Sequence, residues 1–168
     1  FDEYGGAGMK EKYLEFKIAN KYFAYPIERI REIMEYPIVE PLASAPDKVL
    51  GVSSLTGKMV VVFDIAACLN EETHQVPGKT CVIVTEVHRG GESFVIANKV
   101  DLVRQVVDIS LAELEAVPNL GGRLESSLIK GVAKLEQRML TILDVDELLS
   151  ESQWHCVVHE SQMEQTHG

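Results

Sequence analysis

The chain has 168 residues, enough for one large domain or two small, closely packed ones, and its 46% hydrophobic and 25% charged shares are those of an ordinary soluble globular protein. Its formal net charge of −10 argues against a nucleic-acid partner, whose affinity rests on Lys and Arg displacing counterions, and against adsorption to an anionic membrane. No apolar run approaches the roughly 20 residues that span a bilayer, and Cys68, Cys81 and Cys156 share no C-x-x-C spacing, which fits a reducing compartment better than a disulfide framework.

In chain order, residues 1–10 open on FDEYGGAG, with no secretory signal, and are expected to be a flexible lead-in. KYLEFKIANKYFAYPI (12–27) alternates well enough to predict two strands around the turn Ala19-Asn20-Lys21. IERIREIMEY follows, then Pro46, then GVSSLTGKMVVVFDI (51–65). TCVIVTEVHRGGESFVIA (80–97) repeats the hairpin layout around Arg89-Gly90-Gly91, ANKVDLVRQVVD answers IERIREIMEY, and Pro118 leads to GVAKLEQRMLTILDV (131–145). Gly51, Val52, Leu55, Met59 and Asp64 thus return as Gly131, Val132, Leu135, Met139 and Asp144, with Arg138 for Lys58. The second copy is longer by about eight residues, in NLGGRLESSLIK, and residues 151–168 form a polar tail with partly helical character.

Each copy holds roughly five short strands and few helices, too little to bury a core as an open sheet. Closure removes exposed edges. The expected fold is therefore mainly β: two pseudo-symmetric five-stranded barrels side by side, residues 11–78 and 79–150, with strands near the boundary able to exchange between them. MVVVF (59–63) is apolar on both faces, as is MLTIL (139–143) apart from Thr141, so each strand is expected to lie between its own barrel interior and a second packed layer.

Asp64 and Asp144 at equivalent strand ends suggest an acid–base pair and hence a small hydrolase. The favoured reading is that each caps the short helix that follows, with Asp144-Val145-Asp146-Glu147 resembling a capping box in which Glu147 reaches back. His155 and His159 flank Cys156 four residues apart but have no partner ligands of matching spacing, so no metal is expected. The sequence contains no phosphate-binding, nucleophile-elbow, zinc-helix or dinucleotide motif. No catalytic residue and no cofactor are assigned.

Together these motifs resemble the CheW-like coupling proteins of bacterial chemotaxis over about residues 11 to 150. The resemblance is carried by Ile30-Arg31-Glu32-Ile33, Pro46, GVSSLTGKMVVVFDI, Val100-Asp101-Leu102-Val103 and GVAKLEQRMLTILDVDELL. It implies SH3-like barrels and a cytoplasmic, non-catalytic scaffold at membrane-associated receptor arrays, with no direct membrane insertion. This scaffold would join the regulatory domain of a chemotaxis-type histidine kinase, barrel end against barrel end, to the helical cytoplasmic tip of a methyl-accepting chemoreceptor laid in a groove between barrels. Self-association through barrel ends is a further implied contact.

By motif position the implied receptor face is Ile30, Glu32, Gly51, Ser54, Thr56 and Gly57, with Val100 and Val103 from the second copy. Ile30, Val100 and Val103 also fit plain core positions. Thr56 stands where the family has arginine, Ser54 where it has asparagine and Val61 where it has proline. Glu32 is then expected to have lost an arginine partner, with Arg31 or Lys58 as substitutes. The alternative reading is a CheW-like domain of a larger signalling protein whose receptor contact is altered or lost.

Overall fold

A computed structural model describes residues 9–69, 71, 78–116 and 128–167, excluding the side chains of 162–167. FDEYGGAG, Pro118, Gly121-Gly122 and most of the NLGGRLESSLIK insertion lie outside the described residues.

The strands are β1 (Lys10–Ile18), β2 (Lys21–Pro26), β3 (Ile30–Glu35), β4 (Val49–Leu55), β5 (Lys58–Asp64), β6 (Cys81–Arg89), β7 (Glu92–Val100), β8 (Leu102–Ser110), β9 (Leu114–Glu115), β10 (Ile129–Leu135) and β11 (Arg138–Leu143). Two α-helices, α1 (Ile65–Cys68) and α2 (Glu151–His167), and 3₁₀ turns at Ile27–Arg29, Leu111–Glu113 and Val145–Glu147 complete the description. The β1–β2 hairpin forms because Ala19 and Asn20 both take positive φ, 54° and 64°, a turn whose twist matches the flanking strands. Gly90 and Gly91, at 60° and 80°, do the same between β6 and β7.

Pairing does not follow the two halves of the sequence. One sheet runs β8-β1-β2-β11-β10-β9 and the other β3-β6-β7-β5-β4. Each copy's opening hairpin has therefore crossed into the other copy's sheet, where it joins through the only parallel ladders among the described residues, β2 with β11 and β7 with β5. Exchange places each hairpin between two strands and leaves neither long hairpin strand as a bare edge. The expectation of closed five-stranded barrels needs correction. Among the described residues one sheet has six strands, and neither ladder returns from its last strand to its first. β9 is two residues long and pairs with β10 alone, and a single bridge, Glu40 to Val52, holds the matching place in the other sheet.

The expectation for the repeated strands holds. Along β5, Val61 and Phe63 enter the large core between the sheets, whereas Val60 and Val62 enter a small core wrapped by the five-stranded sheet. On β11, Leu140 and Ile142 enter the other sheet's small core and Leu143 the central one. In the central core the rings of Phe16, Phe23 and Tyr25 are close, with centroids 6.1 Å apart for Phe16–Phe23 and 4.8 Å for Phe16–Tyr25. No described helix is long and apolar enough to cross a membrane.

The two aspartates cap. The Ala67 N–H donates to Asp64 Oδ1 at 3.3 Å, and the Asp146 N–H to Asp144 Oδ1 at 3.0 Å. Their backbones repeat as well: Asp64 N–H donates to the Lys48 carbonyl and Asp144 N–H to the Leu128 carbonyl, both at 2.9 Å. Glu147 is exposed and does not complete a capping box. Reciprocal boxes occur instead at Ser110 with Glu113 and at Ser150 with Gln153, where Ser150 N–H donates to Gln153 Oε1 at 2.8 Å and Gln153 N–H to Ser150 Oγ at 3.3 Å.

The tail forms α2, which packs on β5 and β7. Trp154 is buried edge-on against Phe94 at 5.7 Å with Arg89 over its ring, and Gln153 Nε2 donates to the Asp47 carbonyl at 2.8 Å.

A bidentate ion pair bridges the copies. Arg29 Nη1 and Nη2 donate to Asp146 Oδ1 and Oδ2 at 2.9 and 2.8 Å, and the His88 N–H adds a bond to Oδ1 at 2.7 Å. The guanidinium, foremost, holds the Asp146 carboxyl below its ordinary range. A depressed folded pKa adds stability above the unfolded pKa, near 4, and that stability is lost as pH falls through the folded value. The stability gap between wild type and Asp146→Asn should therefore be constant from pH 7 to about 5 and shrink below about 4. Urea titrations across that range check it; a gap that widens in acid contradicts the assignment.

Candidate functional site: a cleft beside the C-terminal helix

The duplication makes matching positions readable from strand register. The β1–β8 ladder pairs Glu15 with Gln105 and Phe16 with Val103, skipping Arg104; the β6–β3 ladder pairs Val84 with Glu32 and Thr85 with Ile30, skipping Arg31. Both are bulges of the same design. The parallel ladders pair Thr141 with Phe23 and Val61 with Ile96, so Tyr22 and Val95, one residue earlier, also correspond.

On the six-stranded sheet these positions make a closed ionic cluster. Glu15 is fully buried and accepts from Arg138 Nε at 2.7 Å, Arg138 Nη2 at 2.8 Å and Gln105 Nε2 at 3.2 Å, with Arg104 Nε at 3.3 Å. The Tyr22 ring lies against the guanidiniums of Arg104 and Arg138, 5.1 and 5.7 Å from its centroid. On the five-stranded sheet the same positions, Arg31, Glu32, Lys58, Val84 and Val95, line an open cleft of about 650 Å³. Thr56, Phe94 and the α2 residues Val157 and Glu160 complete its wall. The floor is apolar, since Leu55 and Val84 are buried members of the small core.

The expectation that Arg31 or Lys58 replaces a lost partner of Glu32 is corrected here. Arg31 forms an ion pair with Glu86 and donates to the Glu28 carbonyl at 3.2 Å. Among the described residues, neither Glu32 nor Lys58 makes an ion pair. The bulge at Arg31 turns that side chain toward β6, so adjacency in sequence is not adjacency in space.

Of the residues singled out in the sequence, Glu32 and Thr56 meet at this cleft, and Gly57, exposed at φ 81°, shares the β4–β5 turn with Thr56 at φ 50°. Ser54 lines a separate shallow depression of about 420 Å³ with Met59 and Ile38, which is 88% exposed. Gly51 is buried under the Glu40 backbone, Val100 lies within the central core, and Ile30 and Val103 pack against that core half-buried. Sequence reasoning missed Val84, Val95, Phe94 and Val157. The pattern GGESFVIA placed Val95 on a strand, but only the parallel β5–β7 pairing within the five-stranded sheet brings it into one cleft with Lys58 and α2.

The fold and the cleft define a duplicated two-sheet β protein with hairpins exchanged between its copies and a charge-rimmed apolar cleft on one of them. Residues 12–153 match the CheW-like domain model, and the chain belongs to that family. It is 27% identical over 135 residues to "Chemotaxis protein CheW" of Rhizobium meliloti (strain 1021), covering 80% of this chain and 84% of that one. Against the protein of the same name from Klebsiella aerogenes it is 26% identical over 145 residues, covering 86% and 85%. The crystal structure of the scaffolding protein TtCheW from Thermoanaerobacter tengcongensis superimposes with a TM-score of 0.76 at 19% identity, covering 91% of this chain and 94% of that one, a likeness of fold.

Proposed function

We propose that this chain is a non-catalytic adaptor of chemotaxis-type signalling, joining the regulatory domain of a histidine kinase to the cytoplasmic tips of chemoreceptors at membrane-associated arrays. The observation that carries the reading is the cleft: in a chain of this family, the motif residues Glu32 and Thr56 converge on an apolar, charge-rimmed surface suited to an amphipathic helix. Each sheet has its own small core, and one end of such a sheet is read as the face that meets the kinase domain. Residues 11–78 and 79–150 are the duplicated sequence units, and the docking units are the sheets built by exchange between them. The absence of catalysis is supported by Asp64 and Asp144, each of which accepts a backbone N–H from the short helix it begins.

Thr56 in place of the family arginine favours a receptor face that has drifted, since Glu32 is left without an ion pair among the described residues. Two experiments separate the readings. Purified receptor-tip hairpin and kinase regulatory domain, each measured against this chain by calorimetry, should both bind; retention of the kinase domain alone would identify the altered-receptor alternative. Thr56→Arg is expected to strengthen receptor-tip binding severalfold, the scale of one partly exposed ion pair, about 1 kcal/mol. No gain in affinity contradicts the lost-pair explanation.

A further inference from the structure

The two sheets differ in chemistry across the five matched positions of the cleft, where only the arginine of Arg31 and Arg104 is shared. On the six-stranded sheet the set is complete: a buried carboxylate, two guanidiniums and an aromatic ring, Tyr22, seated against them. On the five-stranded sheet Val84 supplies no carboxylate and Val95, 39% exposed, supplies no ring. Arg31 is held by Glu86, and the Lys58 ammonium makes no ion pair among the described residues. Val95 and Lys58 both face the cleft of about 650 Å³, on the side where the twin sheet carries Tyr22 beside Arg138.

We propose that the cleft seats an aromatic side chain of a partner protein, completing from outside the cluster that Tyr22 completes from within on the twin sheet. The inference rests on the docking function proposed above and names the chemistry of that contact. A ring inserted over Val84 and Val95 presents its negative face to Lys58 and Arg31 while its body is buried against Leu55, Phe94 and Val157. A basic residue beside the aromatic one meets Glu32 and Glu160 on the rim. The duplication has thus become asymmetric: one mouth carries its own plug, and the other takes the plug from a partner.

The test uses the full chain and two small probes, p-cresol as the tyrosine side chain and cyclohexanol as a ring of similar size without a π face. Methyl NMR of the wild type should show saturable shifts at Leu55, Val84, Val95 and Val157, with p-cresol bound at least about threefold more tightly than cyclohexanol, the scale of an exposed cation–π contact. Val95→Tyr, which copies Tyr22 into the cleft, should abolish these shifts and weaken capture of the receptor tip or kinase regulatory domain at least tenfold. Lys58→Met provides the second variant should Val95→Tyr not fold, and its preference for p-cresol should fall to near one.

Equal binding of the two probes, binding of neither, or wild-type cresol binding by folded Val95→Tyr overturns the proposal. Loss of cresol binding in Val95→Tyr with undiminished capture of both proteins overturns the partner seat and leaves the adaptor function standing. Selective cresol binding in the cleft with no capture of either protein supports the seat and counts against the adaptor reading.

Discussion

Replacing Gly51 with alanine is expected to destabilise the protein by about 4 kcal/mol, combining backbone strain with an unrelievable overlap. Gly51 has φ 146°, a conformation L side chains rarely adopt, and a Cβ there would lie 2.1 Å from the Glu40 carbonyl oxygen and 2.7 Å from its carbon. Both obstacles are backbone, so no side-chain rotation relieves them. Moving the segment away breaks the reciprocal bonds by which Glu40 N–H donates to Val52 at 2.8 Å and Val52 N–H to Glu40 at 2.9 Å. The matched Gly131 is the internal control. Its Cβ would stand 3.3 Å from the Glu115 carbonyl oxygen and 3.4 Å from the Leu114 Cβ, and its φ lies outside the glycine-favouring region. Gly131→Ala should cost about 1 kcal/mol, the low end for overpacking. For a chain of this size the difference corresponds to roughly 10 °C between the two variants in Tm. Equal losses would show that the Glu40–Pro41 segment yields easily and that the two glycines have the same role.

The second large effect is expected at the closed ionic cluster. Arg138→Met keeps an aliphatic stem over Tyr22 but removes both short bonds to a carboxylate with no solvent exposure. Breaking one side of a buried pair costs about 3 to 5 kcal/mol because the remaining charge is left uncompensated. Arg104 and Gln105 stay within reach of Glu15, which places the expected loss near the lower figure, about 3 kcal/mol. Replacing both members, as in Glu15→Leu with Arg138→Met, should recover most of it, since a well-packed apolar pair often matches a buried ionic one. The twin sheet already carries that solution at one of the two places, with Val84 opposite Glu32. Chemical denaturation of the two single variants and the double variant measures the coupling. A double variant as unstable as the sum of the singles contradicts the account.

Much of the fold was readable because the signals are local. The turns Ala19-Asn20 and Gly90-Gly91 announce hairpins through their own φ preferences, and GVSSLTGKMVVVFDI and GVAKLEQRMLTILDV announce duplication by repeating Gly, Val, Leu, Met and Asp at the same spacing. The aspartate caps follow from helix-terminus chemistry within three residues. Hairpin exchange is a long-range choice: the first hairpin carries its alternation whether it joins β5 or β11, and only the packed cores decide. Ser150 and Gln153 did carry a readable capping signal, S-x-x-Q, within a tail whose polarity drew attention instead.

The site divides in the same way. Glu32 and Thr56 were assigned to a shared surface by the family motif, and they do line one cleft although β3 and β4 are the two end strands of their sheet. Gly51 and Val100 lie buried, since an alternating strand pattern does not say which of its two faces meets solvent where the described residues form three cores. Glu15 was not distinguishable from an exposed strand carboxylate, because its partners come from β8 and β11, about ninety and more than a hundred residues away in sequence. The pairing of Arg31 with Glu86 in place of its neighbour Glu32 follows from a bulge that the sequence does not mark.

The central claim is that this chain acts by docking proteins on a duplicated β scaffold. Its most direct test is analytical ultracentrifugation of the full chain with a receptor-tip hairpin and a kinase regulatory domain from the same organism, singly and together. The account predicts that the kinase domain binds and that all three co-sediment in one complex containing this chain. Sedimentation of all three as independent species would contradict it.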